Sequence, residues 1–136
     1  MALENLRILQ EEHIVDNVRT EAAPYLANKW RGLADHPLVG EASVIGMMGS
    51  LALTPHKESR ARFAADPGTI GYMCREHCFA NNLVMRHVYD RMIISPPLVI
   101  SKGEIDQLIS RATKALDATY AQAKDQGMLK VADAHP

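Results

Sequence analysis

The sequence predicts an α+β domain in which helices flank a small, mainly antiparallel sheet of three strands. Near both ends of the chain, apolar residues recur every three or four positions, which is the spacing of amphipathic helices. This period changes to extended apolar runs at Glu41 and again at Leu83. The length of 136 residues suits one domain. We therefore expect long N-terminal and C-terminal helices and a middle helix to pack on the sheet.

The first predicted element is a helix from Leu3 to Leu33. Pro24 lies inside the helical pattern and should kink the helix or split it near Ala23, because proline lacks the N–H that an α-helix interior requires. A turn at Asp35-His36-Pro37 then ends the helical region.

The predicted strands cover residues 41–54, 83–88 and 92–95. The first is long and rich in Val, Ile, Leu and Met, and its Gly46 and Gly49 suggest a bulge or a close backbone neighbour. The other two are separated only by the turn residues 89–91, so we expect an antiparallel hairpin. Alternation along 83–88 predicts two faces, one carrying Val84, Arg86 and Val88 and the other carrying Leu83, Met85 and His87.

The remaining segments are a polar loop, two helices and a tail. In the loop, residues 55–67, the cations Lys57, Arg60 and Arg62 could contact a phosphate, but a solvated face is the favoured interpretation. The middle helix is expected over residues 68–80. The last helix should begin at a capping box formed by Ser101 and Glu104 and end near Gly127. The predicted domain covers residues 1–129, and we expect residues 130–136 to be a disordered tail.

Composition excludes several classes of function. A net charge of −1 gives no electrostatic case for binding nucleic acid or an anionic membrane. No apolar run approaches the roughly 20 residues needed to span a bilayer. Arg7, Glu11 and Glu12 interrupt any signal-peptide pattern, so a cytoplasmic location is predicted. Cys74, His77 and Cys78 could form part of a metal clip, but a fourth ligand is not evident, and reduced, partly buried thiols are favoured.

Arg86 is the principal candidate for a functional residue. It stands in an apolar run, and a guanidinium keeps its charge and must find an anion, a ligand or water. Its planar fork can hold a carboxylate at two points. The alternative is structural: Arg86 pairs with an Asp or Glu of the fold, or faces solvent at a sheet edge.

Five segments together resemble one family, the C-terminal small domain of class III aminotransferases of the omega-amino-acid:pyruvate type, which use pyridoxal phosphate (PLP). The resemblance runs from about Leu6 to Leu129, and the segments follow the family's order. They are Glu12 to Arg19, His36 to Glu41, Gly46 to Ser50, Pro67 to Arg75 and Asn81 to Leu98. The resemblance implies a domain of a fold type I PLP enzyme. It also implies one long helix near the N-terminus, bent but continuous at Pro24, and a role for Arg86 in binding the substrate carboxylate.

The same resemblance implies that this chain is not catalytic alone. In the family, the lysine that binds PLP covalently lies in a large domain, and none of the six lysines here has a matching context. We therefore expect no cofactor site in this fragment, PLP in the intact parent, and amine and keto-acid substrates. The large domain is the expected partner. The surface around Met85, Arg86, Ile94 and Pro96-Pro97 should be covered in the parent and promote homodimers in the free domain. The alternative function is a non-enzymatic orphan domain that acts as an assembly or interaction module.

Overall fold

The structure, a computed structural model, describes residues 1–133 and contains a four-stranded antiparallel sheet covered on one face by helices. The strands are β1 (Val39–Ile45), β2 (Met48–Leu53), β3 (Arg86–Val88) and β4 (Arg91–Ile94), and their order in the sheet is β1-β2-β4-β3. The helices are α1 (Ala2–Glu11), α2 (Ile14–Asn17), α3 (Ala23–Gly32), α4 (Thr69–Ala80) and α5 (Lys102–Asp125). A π-helical segment (Val18–Ala22) joins α2 to α3, and a 3₁₀ turn (Leu33–Asp35) follows α3.

The α+β class is confirmed, but the predicted count of three strands is wrong. The run from Glu41 to Thr54 is two strands, because the chain reverses between Ile45 and Met48. Gly46 has φ of +54° and supplies the left-handed backbone that such a tight reversal requires. The bulge lies elsewhere, between Val39 and Glu41.

Gly49 has the close neighbour that its place in a strand suggested. A Cβ atom at this position would lie 2.8 Å from Cε2 of Trp30, so only glycine allows the indole ring to lie against β2. The indole N–H of Trp30 also donates to the carbonyl of Ser50 at 3.2 Å. Gly49 therefore fixes how α3 packs on the sheet.

The N-terminal helix is not one continuous helix. It breaks at His13, whose φ is +51°, and α1 contributes no buried residue. Pro24 causes no break, because it lies in the first turn of α3 directly after the π-helical segment. The wider π turn shifts the hydrogen-bond ladder where the missing N–H of Pro24 would otherwise disturb it.

Helix α5 is the longest element, and its predicted termini are confirmed. Ser101 and Glu104 form the reciprocal capping box, with N–H donors reaching the side-chain oxygens at 3.2 and 2.8 Å. At the other end, Gly127 has φ of +67°, and the Met128 N–H donates to the Ala123 carbonyl at 2.7 Å, as in a Schellman motif.

The core lies between the helices and one face of the sheet. Helix α5 packs on α3 and α4, and α4 in turn contacts β3 and β4. The largest fully buried side chains include Trp30, Leu26, Leu38, Leu51, Ile70, Met92, Ile105 and Leu116. The opposite face of the sheet is not covered by any helix of the described chain and is called the open face below.

The segment predicted to be a disordered tail begins with paired backbone. Val131 forms an antiparallel bridge with Phe63, and the Ala132 N–H donates to the Arg62 carbonyl at 2.9 Å. Residues 134–136 of the predicted tail lie outside the described residues. In the described part, no helix is long and apolar enough to cross a membrane.

Candidate functional site

The β3–β4 hairpin places Arg86 on the open face. Arg86 is opposite Ile93 in the ladder, and His87 is opposite Met92, which is fully buried. Successive side chains alternate between faces, so Arg86 is exposed whereas His87 points towards α4, where its ring lies edge-on to Tyr72 at 6.0 Å. The predicted alternation is confirmed, although β3 itself spans three residues and not six.

The turn of this hairpin is docked on the N-terminus of α4. The carboxylate of Asp90 accepts the Gly71 N–H at 2.9 Å and the Gly68 N–H at 3.2 Å. These donors belong to the first turn of the helix, which would otherwise lack partners, and the negative charge suits the positive end of the helix dipole. The Asp90 carbonyl also accepts the N–H of Leu53 at 2.9 Å, which ties the turn to β2.

Gly71 makes this docking possible. A Cβ atom at position 71 would lie 2.0 Å from the carbonyl oxygen of Tyr89, a backbone atom that cannot move aside without moving the turn. Tyr89 itself has φ of +50°, an uncommon conformation for a residue with a large side chain. The contacts of Asp90 and Gly71 thus hold the turn in a strained shape and fix the direction of β3.

Arg86 has no acidic partner within the part of the chain that the structure describes. No carboxylate of residues 1–133 lies within 4.0 Å of its guanidinium. Among these residues, Arg86 does not pair with an Asp or Glu of the fold. It is instead exposed in an edge strand of the sheet, which was the other structural interpretation. The whole donor fork is accessible to an external carboxylate.

Other charged groups share the open face with Arg86, although Glu41 lies in β1, at the opposite edge of the sheet from β3. Arg91 donates to the Ser50 hydroxyl at 3.0 Å, and Arg60 pairs with Glu41 at 3.2 Å. A hydrogen bond from the Ser43 hydroxyl, together with the charges of Arg91 and Arg60, lowers the pKa of Glu41. The face thus holds ordered charges beside the half-buried Ile93, which is a surface suited to polar contacts.

The prediction that Met85 and Ile94 belong to an exposed surface around Arg86 is wrong. Met85 and Ile94 are 2% and 3% exposed and belong to the core. The exposed apolar side chains near Arg86 are instead Val84 and Val88, with Leu98 and Val99 further along the chain. Pairing of β3 to β4 turns Ile94 inwards, which the sequence pattern did not show.

Two of the lysines form ion pairs with carboxylates of the fold. Lys29 and Lys102 have raised pKa values, because Asp106 hydrogen-bonds the first and Glu21 the second. Covalent catalysis by lysine requires the opposite, a lowered pKa in a shaped pocket. A cleft of about 900 Å³ between residues 60–67 and the β3–β4 turn has no lysine among its lining residues.

Cys74 and Cys78 are both free thiols and both buried. They lie one turn apart on α4, and the neighbouring thiol together with burial raises the pKa of Cys78. His77 points elsewhere, with its Nε2 2.7 Å from the side-chain oxygen of Gln122 on α5. Within residues 1–133, no three His, Cys, Asp or Glu side chains are grouped so that they could hold a metal ion.

No protein-family model matches the chain, but individual proteins do. Over 121 residues it is 57% identical to the putrescine–pyruvate aminotransferase of Pseudomonas aeruginosa, covering 89% of this chain and 26% of that protein. It is 30% identical over 125 residues to the chloroplastic gamma aminobutyrate transaminase 3 of Solanum lycopersicum, covering 92% of this chain and 24% of that protein.

Solved structures give the same result. The omega transaminase from Pseudomonas jessenii in complex with PMP matches with a TM-score of 0.83 and 29% identity, covering 90% of this chain and 27% of that one. The chain is homologous to the C-terminal small domain of class III aminotransferases. It spans about a quarter of the length of the curated relatives it matches.

Asp90 is the site residue whose role the sequence interpretation missed. It was assigned only to a turn, because its two donors lie 19 and 22 residues away and leave no local signal. The adjacent helix start at Gly68, which lacks a side-chain cap of its own, was the available hint that another segment supplies one.

Proposed function

We propose that this chain serves as the C-terminal domain of a PLP-dependent aminotransferase and contributes Arg86 as the group that binds the substrate carboxylate. The reaction would move an amino group from an amine or omega-amino acid to pyruvate or another keto acid. The exposed, unpaired guanidinium on a docked hairpin is the observation that supports this role. Identity of 57% to a putrescine–pyruvate aminotransferase supports the reaction class.

The cofactor and most of the catalytic groups would come from the large domain. PLP supplies an electron sink when it is bound there. Lys29 and Lys102 have raised and not lowered pKa values, and no lysine lies in a sequence context that resembles the cofactor lysine of the family, so the 136-residue chain should be inactive by itself. We further propose that the assembled protein is a cytoplasmic homodimer in which the large domain covers the part of the open face around Arg86.

Arg86 would act by orientation and selectivity. A two-point contact with a carboxylate fixes the substrate's direction, whereas a plain amine such as putrescine has no group for it to hold. Removal of a charge-assisted contact of this kind costs about 1.5–3 kcal/mol, or roughly tenfold to a hundredfold in affinity. That difference between substrate classes is the property to measure.

The test is a chimeric enzyme in which this chain replaces the matching segment of the P. aeruginosa putrescine–pyruvate aminotransferase. Arg86→Ala should lower kcat/KM for an omega-amino acid roughly tenfold or more and leave that for putrescine nearly unchanged, when the amine half-reaction is followed alone. Arg19→Gln is the control, because Arg19 is exposed and pairs with Asp16 on a distant helix. An equal loss for both substrates would show that Arg86 is structural.

The predicted inactivity of the 136-residue chain has its own test. After incubation with PLP and reduction with borohydride, mass spectrometry should find adducts spread thinly over exposed lysines. Gel filtration before reduction should remove the cofactor. A single lysine modified to completion, or transamination by the chain alone, would contradict the proposal.

A further inference from the structure

A cleft of about 900 Å³ lies beside the docked hairpin and plays no part in the role proposed for Arg86. It separates the loop of residues 60–67 from the β3–β4 turn, and its size is within the range of small-molecule sites, about 300–1,000 Å³. Much of its wall is apolar. Its apolar lining includes Ala52, Leu53, Ala61, Phe63, Ala64, Ala65, Pro67 and Val88.

The walls are held in place by hydrogen bonds. On one side, the Thr54 hydroxyl, itself buried, donates to the Ala61 carbonyl at 2.8 Å. The Ala64 N–H donates to the Lys130 carbonyl at 2.8 Å, which adds to the bridge between Phe63 and Val131. The other wall is the turn docked on α4. A cleft formed in advance costs a ligand little ordering free energy.

The charges of the cleft leave an excess of positive charge. Arg60 is paired with Glu41, and the Asp90 carboxylate is occupied by two backbone N–H groups. Arg62 and Arg91 have no carboxylate within 4.0 Å among residues 1–133, and Arg91 is only half-exposed. Asp66 and Asp90 both line the cleft, so its lining carries three guanidinium groups and two carboxylates, an excess of one positive charge.

Two strained residues line the same space. Arg60 and Tyr89 each have φ of +50°, although neither is glycine. Such strain costs on the order of 1 kcal/mol per residue and is found preferentially at ligand sites. Its presence on both walls of one cleft distinguishes this surface from an ordinary solvated face.

We propose that this cleft binds a small organic anion with a carboxylate or phosphate head and a compact apolar body. Arg62 and Arg91 hold the head, and the alanine, valine and phenylalanine side chains contact the body. The unused guanidinium nitrogens of Arg91 are available because only one of them donates to Ser50. This binding is independent of Arg86, which lies on the same face but is not among the lining residues.

The test is an NMR titration of the full ¹⁵N-labelled chain with benzoate, phenyl phosphate, inorganic phosphate and benzylamine. Benzoate or phenyl phosphate should give saturable shifts confined to the amides of residues 60–66 and 88–91. Inorganic phosphate should bind at least about threefold more weakly, because it lacks the apolar body. Benzylamine, with the opposite charge, should give none. If benzoate binds more tightly than phenyl phosphate, a carboxylate is the preferred head group. If phenyl phosphate binds more tightly, a phosphate is preferred.

Variants decide whether the arginines are responsible. Arg62→Gln and Arg91→Gln should each weaken binding of the better ligand about fivefold, as expected for loss of one exposed charged contact. Arg19→Gln, at an exposed arginine paired with Asp16, should leave the Kd unchanged. If Arg91→Gln fails to fold, exposed Arg62 still tests the proposal. Absence of saturable shifts by 20 mM ligand (roughly the limit of useful affinity), equal binding of benzylamine, or unchanged Kd in Arg62→Gln would overturn it.

Discussion

The two hairpins of the sheet differ in what holds their turns. The β1–β2 turn at Gly46-Met47 is open at Gly46, and Ile45 and Met48 are 83% and 62% exposed on either side, although the Met47 side chain is buried. A Cβ atom added at Gly46 would meet nothing within 4 Å. The backbone of the β3–β4 turn instead packs against α4 and is tied to it by the Asp90 carboxylate, although the Tyr89 side chain is 71% exposed. In the first turn, glycine adopts the positive φ that the reversal requires. In the second turn, tertiary contacts hold Tyr89 at a similar positive φ.

This difference suggests why the candidate functional residue lies on the docked hairpin. A binding residue must be held within a fraction of an ångström of its working position, and its supporting contacts determine that precision. The Asp90 contacts supply such support four residues from Arg86. Changes confined to one hairpin at a time test this difference.

Gly71→Ala should be the most damaging change. The new Cβ would require a shift of at least an ångström in the backbone at Tyr89, so we expect a loss of about 3 kcal/mol or more in the free energy of unfolding. Urea unfolding measures it. Gly103→Ala, which adds a methyl group in open space near the start of α5, is the matched control and should be neutral or slightly stabilising. Equal stability of the two variants would show that the turn is not docked as described.

Asp90→Ala should come next, with a loss of about 1–2 kcal/mol, because two N–H groups of α4 lose their acceptor. Asp90→Asn keeps one side-chain acceptor and should lose roughly half as much. Hydrogen exchange should become faster at Gly68 and Gly71 before it does in β1 and β2. Uniformly faster exchange in both hairpins would contradict a local role for this carboxylate.

The sequence could predict elements whose signals are local. The capping box of Ser101 and Glu104 and the glycine after α5 are complete within a few residues, and both were predicted correctly. The reversal at Gly46 was missed because the strand pattern continues through it and Met47 is apolar and buried. The break at His13 has no glycine or proline to announce it.

The same limit applies to the site. Arg86 could be selected as a candidate because a charge in an alternating apolar run is visible in the sequence, and its proposed role in binding a carboxylate is what the resemblance implies. The contacts that position it could not, since Gly71 and Asp90 meet only after α4 and the hairpin pack together. Likewise, the arginines of the loop were interpreted as a solvated face because the cleft exists only once residues 130–132 pair with that loop.

Gly46→Ala tests the free turn. Alanine would have to adopt φ near +54°, which costs about 1 kcal/mol, and no packing would be lost because the position is open. We expect a loss of that size in urea unfolding, with hydrogen exchange faster only in β1 and β2. A loss as large as that of Gly71→Ala would mean that the turn at Gly46 is also packed against something.

The smallest effect should be a loss of folding stability in acid that arises next to β1. Burial lowers the pKa of His36, although its contact with Asp117 at 3.2 Å partly opposes this, and the charge of Lys57 lowers it further. The Nδ1 of His36 accepts the N–H of Leu38 at 3.1 Å, just before β1 begins, and protonation would remove that acceptor. The folded state therefore favours neutral His36 and binds fewer protons than the unfolded chain near pH 6.

The sign of the dependence follows from this proton count. The contribution of His36 is fully present above its unfolded pKa of about 6.5 and is lost as the pH falls through and below that value. Because the contact with Asp117 offsets part of the effect of burial, the change between pH 7.5 and 5.5 should stay below about 1 kcal/mol. His36→Gln, which stays neutral, should flatten the curve in urea unfolding across that range. If wild type and variant lose the same stability on acidification, a group other than His36 causes the pH dependence.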